Sequence, residues 1–392
     1  MHGRLKTLRQ IYLMNDTQQS NPSSHTHAMP VYRPLLYGFA MLSVIAVLGL
    51  LALGGTVTSK TAGMAVPDWP QTFDYNMFLF PISMWKGGVF WEHTHRLWAS
   101  GVGFMAIILC VWLWITEKNR RWMSWLGTGL LVMVIIQGIL GGIRVTEIDW
   151  RFGIVHGILG QLYFCFVILA CAALGKRWLD KPAADVDAGK LAKPVRMGWI
   201  LLGVLLVQLS LGAAMRHSGA GLSVPDFPTF YGSLVPPTSQ QQLDDAIIEH
   251  EVDVQHDKNG DVVHFKLWHV YLHTAHRLWA IAVIVHVLLL VKALKDSISS
   301  LPNLSRPVMA MLGLLLVQLT LGMLVIWTGK HPEISTAHQF VGAVFLGLAT
   351  LIQIRMMRLR YLANHQIYAD TAATPRDTLS QSVQASGTGA IA

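Results

Sequence analysis

Four histidines recur at matched positions in two stretches of the chain, and their spacing is the pattern best suited to chemistry. The segment HTHRLWA at 93–99 returns as HTAHRLWA at 273–280, and HGILG at 156–160 is matched by HQFVG at 338–342. Each motif begins a long apolar run. An imidazole inside a bilayer is costly, and ligation of a metal or cofactor is the usual reason for it. The matched histidines are His95, His156, His276 and His338.

Two histidines per stretch on non-consecutive helices are what a bis-imidazole heme requires. A glycine four residues after His156 and His338, at Gly160 and Gly342, would let a flat macrocycle approach the backbone. The alternative is that each histidine makes a hydrogen bond across a helix interface. Zinc is disfavoured because no third or fourth Cys or carboxylate ligand gathers with either pair.

The two stretches differ three residues before the first ligand, where Glu92 stands in one and His273 in the other. Glu92 shares a helix face with His95, and a carboxylate beside a bound macrocycle could transfer protons. The alternative is that it compensates a helix dipole. His93 points elsewhere on the helix and is predicted to be an interfacial polar group. Whether His93 or His273 assists ligation is left open.

Two arginines, Arg96 and Arg277, directly follow the first histidine of each pair. They are candidate partners for heme propionates because the guanidinium matches carboxylate geometry. The alternative is snorkelling to lipid headgroups. The preceding loops VPDWP and VPDFP, with Asp68 and Asp226, either fold back over the sites or serve simply as turns.

The elements that position these residues are membrane helices. The chain has 392 residues, of which 53% are hydrophobic and only 13% charged, so it is too apolar for a soluble protein of its size. We predict an all-α membrane protein. The eight predicted spans are 34–57, 92–115, 124–143, 152–175, 197–214, 266–291, 307–328 and 333–354.

The sequence repeat extends beyond the histidine motifs and divides the chain into halves. GGTVTSKTAGMAVPDWP at 54–70 is echoed by GAAMRHSGAGLSVPDFP at 212–228, and a Gln and a Gly recur late in three spans. Both halves run from inside to inside, which predicts two tandem four-helix bundles in a pseudo-twofold repeat about the membrane normal. The predicted segments are a polar cytoplasmic tail 1–33, an N-terminal half 34–175, a cytoplasmic linker 176–196, a C-terminal half 197–355 and a disordered cytoplasmic tail 356–392.

Charge predicts the orientation. Lys and Arg gather in both tails and in the second, fourth and sixth loops, so both termini should be cytoplasmic, with the histidines toward the outer side. Orientation explains the net charge of +8, and no dense basic block indicates nucleic acid. The polar first 33 residues contain no apolar core or cleavage site of a secretory signal.

Two further features concern the loops. The second half carries an enlarged acidic outer loop at 229–265, predicted to be an external cap or a short amphipathic helix. The three cysteines, Cys110, Cys165 and Cys171, lie within predicted spans, which favours buried small hydrophobic residues and implies no disulfide framework.

The motifs resemble the heme A synthase family of cytochrome oxidase assembly over about 34–355. The resemblance rests on EHTHR at 92–96, VHG at 155–157, HTAHR at 273–277 and AHQ at 337–339. It implies an oxidoreductase of the cell inner membrane that oxidises the C8 methyl of heme O to a formyl group, giving heme A.

The resemblance also assigns roles to individual residues. It implies that His276 and His338 ligate a heme b cofactor, that His95 and His156 bind the substrate heme, and that Glu92 is the essential carboxylate. Heme O synthase, an electron donor and a second copy of the chain are candidate partners besides the lipid bilayer.

This chain departs from some members of the family, which carry cysteine pairs in the outer loops. Those loops read GMAVPDWP and GLSVPDFP here, so no thiol relay is expected. Two rival functions use the same histidines: a diheme b-type electron-transfer protein, which has no need of Glu92, and a heme carrier or assembly factor that binds without turnover.

Overall fold

The protein is an all-α membrane protein, as predicted. The computed structural model describes residues 31–179, 187–250, 264–298 and 302–373. Within these ranges the regular elements are helices, accompanied by two isolated β-bridges in loops. Eight helices are long and apolar enough to cross a membrane, and each overlaps one of the predicted spans.

The helices extend beyond most of the predicted spans at one or both ends. A single further turn of helix, Lys176–Leu179, follows the fourth membrane-spanning helix. The main helices are α1 (Pro34–Ser59), α2 (Gly87–Thr116), α3 (Arg121–Thr146), α4 (Trp150–Leu174), α5 (Ala192–His217), α6 (Gln240–Glu249), α7 (Leu267–Ile298), α8 (Pro302–Trp327) and α9 (Pro332–Ala373).

Local chemistry explains where several helices begin. Pro34 and Pro332 open α1 and α9, where the missing N–H of proline leaves no hydrogen bond unmade. Asp149 caps α4 by accepting a hydrogen bond of 2.8 Å from the backbone N–H of Arg151. Ser239 caps α6 in the same way, accepting from the N–H of Gln242.

The spans pack in two sets of neighbours. In the first half α1 contacts α2, α2 contacts α3, α3 contacts α4, and α4 contacts α1. In the second half α5, α7, α8 and α9 make the corresponding series. Helices α1, α4, α5 and α9 also contact one another between the halves, and α4 and α9 are the most buried spans. The pseudo-twofold axis itself stays a prediction.

The last helix is longer than predicted. We expected disorder from residue 356, but α9 continues to Ala373, so that prediction is wrong for 356–373. This segment contains no Gly or Pro, and Met356 is fully buried in the core of the second half. Arg358 Nε donates to the carbonyl of Trp178 at 3.0 Å, which ties the extension to the chain after α4. The residues of the predicted tails before 31 and from 374 onward lie outside the described ranges.

The enlarged outer loop contains the short amphipathic helix that the sequence predicts. This helix, α6, buries Leu243 in a small apolar cluster with Val224, Tyr231 and Phe265. Its polar face carries exposed carboxylates such as Asp244. The rest of the acidic segment, 251–263, lies outside the described residues.

Candidate functional site

Each of the four matched histidines lies against a glycine of the preceding spanning helix. A Cβ atom added to the glycine would approach the imidazole Cε1 closely at every position. The distances are 3.1 Å for Gly54 and His95, 3.4 Å for Gly141 and His156, 3.1 Å for Gly212 and His276, and 3.2 Å for Gly322 and His338. Any larger residue would displace the imidazole at three of these contacts or crowd it at the fourth. The same contact between a glycine and an imidazole therefore occurs at all four matched histidines. We call these four glycines, Gly54, Gly141, Gly212 and Gly322, the glycine seats.

These glycines are not the ones that the sequence pattern singled out. Gly160 and Gly342, four residues after the histidines, face a glutamine of the neighbouring helix instead: Gln137 for Gly160 and Gln318 for Gly342. The glycines that meet the rings belong to other helices, so helix periodicity within one motif could not identify them.

The structure brings the predicted pairs together. His95 of α2 and His156 of α4 lie within range of electrostatic interaction, and so do His276 of α7 and His338 of α9. Each pair joins two helices of the same half. Two facing helices of one bundle can each supply one imidazole to the same porphyrin.

Three glutamines lie one helical turn before three of the ring-contacting glycines, and each reaches the histidine opposite. Gln137 Nε2 donates to the backbone carbonyl of His156 at 3.2 Å. Gln208 Nε2 donates to the carbonyl of His276 at 3.1 Å and lies within 3.3 Å of its ring nitrogens. Gln318 Nε2 lies 3.4 Å from Nε2 of His338. The fourth position, in α1, is Leu50.

Several polar atoms of these histidines and glutamines are buried without a partner among the described residues. They are Nδ1 of His95, His156 and His338 and Oε1 of Gln208 and Gln318. An unsatisfied buried polar group costs about 1–3 kcal/mol. Ligation fixes one ring nitrogen and leaves the other as a donor for a nearby acceptor. The paired rings, their glycine seats and the free amide oxygens therefore fit an axially ligated heme.

Glu92 is buried at the head of α2, with 3% of its surface exposed. One carboxylate oxygen accepts from the backbone N–H of Val66 at 2.9 Å, and the other accepts from Arg96 Nη2 at 3.0 Å. His273 is equally buried at the matching position of α7. The two halves therefore differ at a buried position, which holds a carboxylate in the first half and an imidazole in the second.

The two arginines hold the preceding loops against the heads of the helices. Arg96 donates to the carbonyls of Val66, Asp68 and Gln71 at 2.6–3.0 Å. Arg277 makes the equivalent bonds at 2.7–3.1 Å. Its acceptors are the carbonyls of Val224, Asp226 and Thr229. Both loops therefore fold back over the sites, which was one of the two predicted alternatives.

The aspartates of these loops shape turns. Asp68 accepts hydrogen bonds from the backbone N–H groups of Phe73 and Asp74 at 2.8 and 2.9 Å. Asp226 accepts from Tyr231 and Gly232 in the same way. Burial raises the pKa of Asp68, but the N–H donors, with Arg96, outweigh burial and hold that pKa below its ordinary value. The aspartates therefore stabilise the turns as carboxylates.

His93 of α2 contacts the outer loop before that helix and is not one of the paired histidines. It is fully buried, its Nδ1 lies 3.2 Å from the hydroxyl of Thr72, and its ring packs against Phe80 and Trp85. These contacts fit the predicted interfacial polar role.

Sequence reasoning missed two arginines near the histidines. Arg144 of α3 interacts electrostatically with Glu92, His95 and His156, and it makes no hydrogen bond within the described part of the chain. Arg216 of α5 donates to the carbonyl of Gly55 at 2.6 Å and to the hydroxyl of Ser59, both in α1.

A third contact of Arg216 reaches α9, where Nη1 donates to Oε1 of Gln339 at 3.2 Å. Arg216 therefore joins the second half to the first beside His338. The sequence feature that could have identified both arginines is a single cation at the end of an apolar span. Arg144 follows Gly141 by three residues, and Arg216 follows Gly212 by four.

Comparison with known proteins places the chain in a family. The sequence model of the COX15-CtaA family, described as cytochrome oxidase assembly protein, matches residues 70–350. The chain belongs to this family. The matched region begins at Pro70 in the first outer loop and ends within α9, so it contains all four paired histidines.

Curated relatives of this COX15-CtaA member share its length at low identity. A heme A synthase of Beijerinckia indica is 24% identical over 365 residues, covering 85% of this chain and 96% of the relative. A heme A synthase of Methylorubrum populi is 28% identical over 348 residues, covering 81% and 85%. A heme A synthase of Geobacillus kaustophilus is 23% identical over 328 residues, covering 82% and 92%.

In this COX15-CtaA protein the glycine seats can be tested directly. We expect Gly212→Val to push the His276 ring from its place and to lower the heme content of the purified protein by roughly tenfold, the low end of the loss seen when a ligand loses its support. Gly203→Val on the same helix is the matched control, because a Cβ at Gly203 meets no atom within 4 Å. Equal heme-to-protein ratios in the two variants would contradict the seating role.

Proposed function

We propose that this protein is a heme A synthase, which oxidises the C8 methyl group of heme O to a formyl group by successive hydroxylations and loss of water. The observation that carries the proposal is the difference between two otherwise matched histidine sites. One has a buried carboxylate, Glu92, at the head of its helix, and the other has His273 there. An enzyme that holds a substrate heme and a resident heme needs proton transfer at the substrate site only. Two matched sites of which one has a carboxylate suit such an enzyme.

The resident heme is assigned to the second half. His276 and His338 would hold a heme b, which supplies electron transfer when bound. Support comes from Gln208 and Gln318, whose Nε2 atoms lie 3.2 and 3.4 Å from Nε2 of His276 and His338 and whose Oε1 atoms are buried without a partner among the described residues. Turning either amide over would bring an acceptor to the imidazole. His95 and His156 would orient the substrate heme in the first half.

Glu92 is assigned the role of moving protons at the substrate site. Its hydrogen bonds to Arg96 and Val66 could instead mean that it merely holds the loop. The second half argues against that alternative, because Arg277 holds the matching loop through three carbonyls with no carboxylate present at position 273. Glu92 is therefore not needed for the loop, and a buried carboxylate without a structural requirement favours chemistry.

The propionates of the substrate heme need cationic partners. Arg96 and Arg277 remain predicted partners, although their guanidinium groups already donate to loop carbonyls. Arg144 is better placed for the substrate. It lies near both His95 and His156 and makes no hydrogen bond to any residue that the structure describes.

The cellular setting follows from the same assignment. We infer a cell-membrane location with both termini cytoplasmic and the histidine layer toward the outer side, as loop charge predicts. Heme O synthase and an electron donor are the expected partners, and a homo-oligomer is a further expectation. The three cysteines are free and lie in α2 and α4, so electrons should reach the site without a thiol relay.

Product analysis tests this function against its rivals. The protein is expressed together with a heme O synthase, and extracted hemes are identified by mass. A heme A synthase should yield the formyl product. A diheme electron-transfer protein or a heme carrier would return only heme b and heme O, so absence of heme A from a fully hemylated preparation overturns the proposal.

A further inference from the structure

We propose, on the basis of the function proposed above, that Leu50 makes the substrate heme exchangeable. A glutamine amide lies beside the ring of His276 and of His338, whereas Gln137 reaches only the backbone carbonyl of His156 and α1 has Leu50 at the position that matches Gln208. The first half would then bind its heme through two imidazoles whose rings contact no glutamine among the described residues. The second half would hold its heme through two imidazoles that each lie beside an amide.

The helix pairs that carry Leu50 and Gln208 are packed alike. The indole N–H of Trp98 in α2 donates to the carbonyl of Ala46 in α1 at 2.8 Å. The indole N–H of Trp279 in α7 donates to the carbonyl of Val204 in α5 at 2.9 Å. Ala46 and Val204 are 158 residues apart, and so are Leu50 and Gln208.

The glycine seats confirm this match. Gly54 and Gly212 are also 158 residues apart, and a Cβ on either would lie 3.1 Å from the Cε1 of the opposing histidine. Leu50 therefore lies at the place in α1 from which Gln208 reaches His276 in α5. Positions 50 and 208 therefore match in location and differ in their side chains, which are a leucine and a glutamine.

An amide at this position has a clear effect on a ligating imidazole. When one ring nitrogen binds iron, the other carries a proton and is strengthened as a ligand by a hydrogen-bond acceptor. Gln208 Nε2 faces the ring nitrogens of His276 at 3.2–3.3 Å and Oε1 is buried without a partner among the described residues, so this amide becomes an acceptor for the ring by turning over. Nδ1 of His95 has no partner among the described residues, as is also true of His156 and His338, and a leucine at position 50 offers no acceptor. Loss of such a partner costs about 10–100-fold in affinity.

The histidine opposite Leu50 also lies on the side of the carboxylate. Glu92 precedes His95 by three residues on α2 and shares its face. His156, the other ligand of this half, keeps Gln137 bound to its backbone carbonyl. A glutamine at position 50 would therefore act on the histidine that shares a helix face with Glu92.

The test introduces a glutamine at position 50. In the membrane protein expressed with a heme O synthase and purified in detergent, we expect Leu50→Gln to slow transfer of heme from the first half to an apomyoglobin trap by about 10–100-fold. More heme should also survive purification. Leu50→Met is the matched control, because it fills similar volume without an acceptor. An unchanged transfer rate in a folded Leu50→Gln protein that retains heme b would overturn the proposal.

The reverse substitution tests the effect of the amide on heme release in the second half. Gln208→Leu should speed loss of the resident heme by about 10–100-fold, so the proposal can be tested even if Leu50→Gln does not fold. No change in that rate would contradict it. Both readouts are heme transfer rates and need no product, so failure to form heme A would count against the enzyme function alone.

Discussion

Replacing Glu92 with glutamine is expected to abolish heme A formation while leaving the resident heme in place. The carboxamide has nearly the shape of the carboxylate and can still accept from the N–H of Val66, so the loop should stay closed. What is lost is proton transfer, which contributes about 10²–10⁴-fold in enzymes that use it. The measurements are heme A per protein by mass and heme b by absorbance spectrum.

A buried carboxylate at the other end of the same helix provides the control. Glu117 pairs with Arg120 at 2.7 Å and is also buried, but it lies at the far end of α2 from His95. Glu117→Gln should therefore keep heme A formation close to that of the unmodified protein. Loss of heme b in Glu92→Gln, or equal loss of activity in both variants, would assign Glu92 a structural role.

Replacing His276 or His338 with alanine is expected to remove the resident heme. Each change deletes an imidazole that we propose as an axial ligand and leaves a gap beside Gly212 or Gly322. The heme-to-protein ratio should fall roughly tenfold or more, and the spectrum of a bis-imidazole heme should disappear. By contrast, His156→Ala should keep the resident heme and lose heme A formation, because it changes only the substrate site.

The control for this second prediction lies on α7 itself. His286 Nδ1 donates to the carbonyl of Ala282 at 2.8 Å, one turn earlier on its own helix. His286→Ala should leave the heme-to-protein ratio unchanged. If His156→Ala lost the resident heme and His276→Ala kept it, the assignment of the two halves would have to be exchanged.

The sequence predicts most of the fold because long apolar runs have few alternatives in a bilayer. All eight spans could be located from composition alone, and the repeat picked out the histidines that the structure pairs. The end of α9 could not be located, because the buried contacts of Met356 and the bond from Arg358 to Trp178 depend on tertiary packing.

Within the site, the sequence gives residue types but not the directions of their side chains. Arg96 and Arg277 were expected near propionates, yet their guanidinium N–H groups donate hydrogen bonds to backbone carbonyls of the preceding loops. The glycine seats and Arg144 depend on which helices become neighbours. A motif confined to one helix carries no information about the residue that faces it from another.

The seam between the halves has lost the symmetry of the repeat. Arg216 is supplied by α5 and accepted by Gly55 and Ser59 of α1, but the matching residue in α1 is Thr58, whose hydroxyl donates to its own helix at Gly54. The repeat therefore does not extend to this contact: the second half alone supplies the cation, and the first half alone supplies its acceptors in α1.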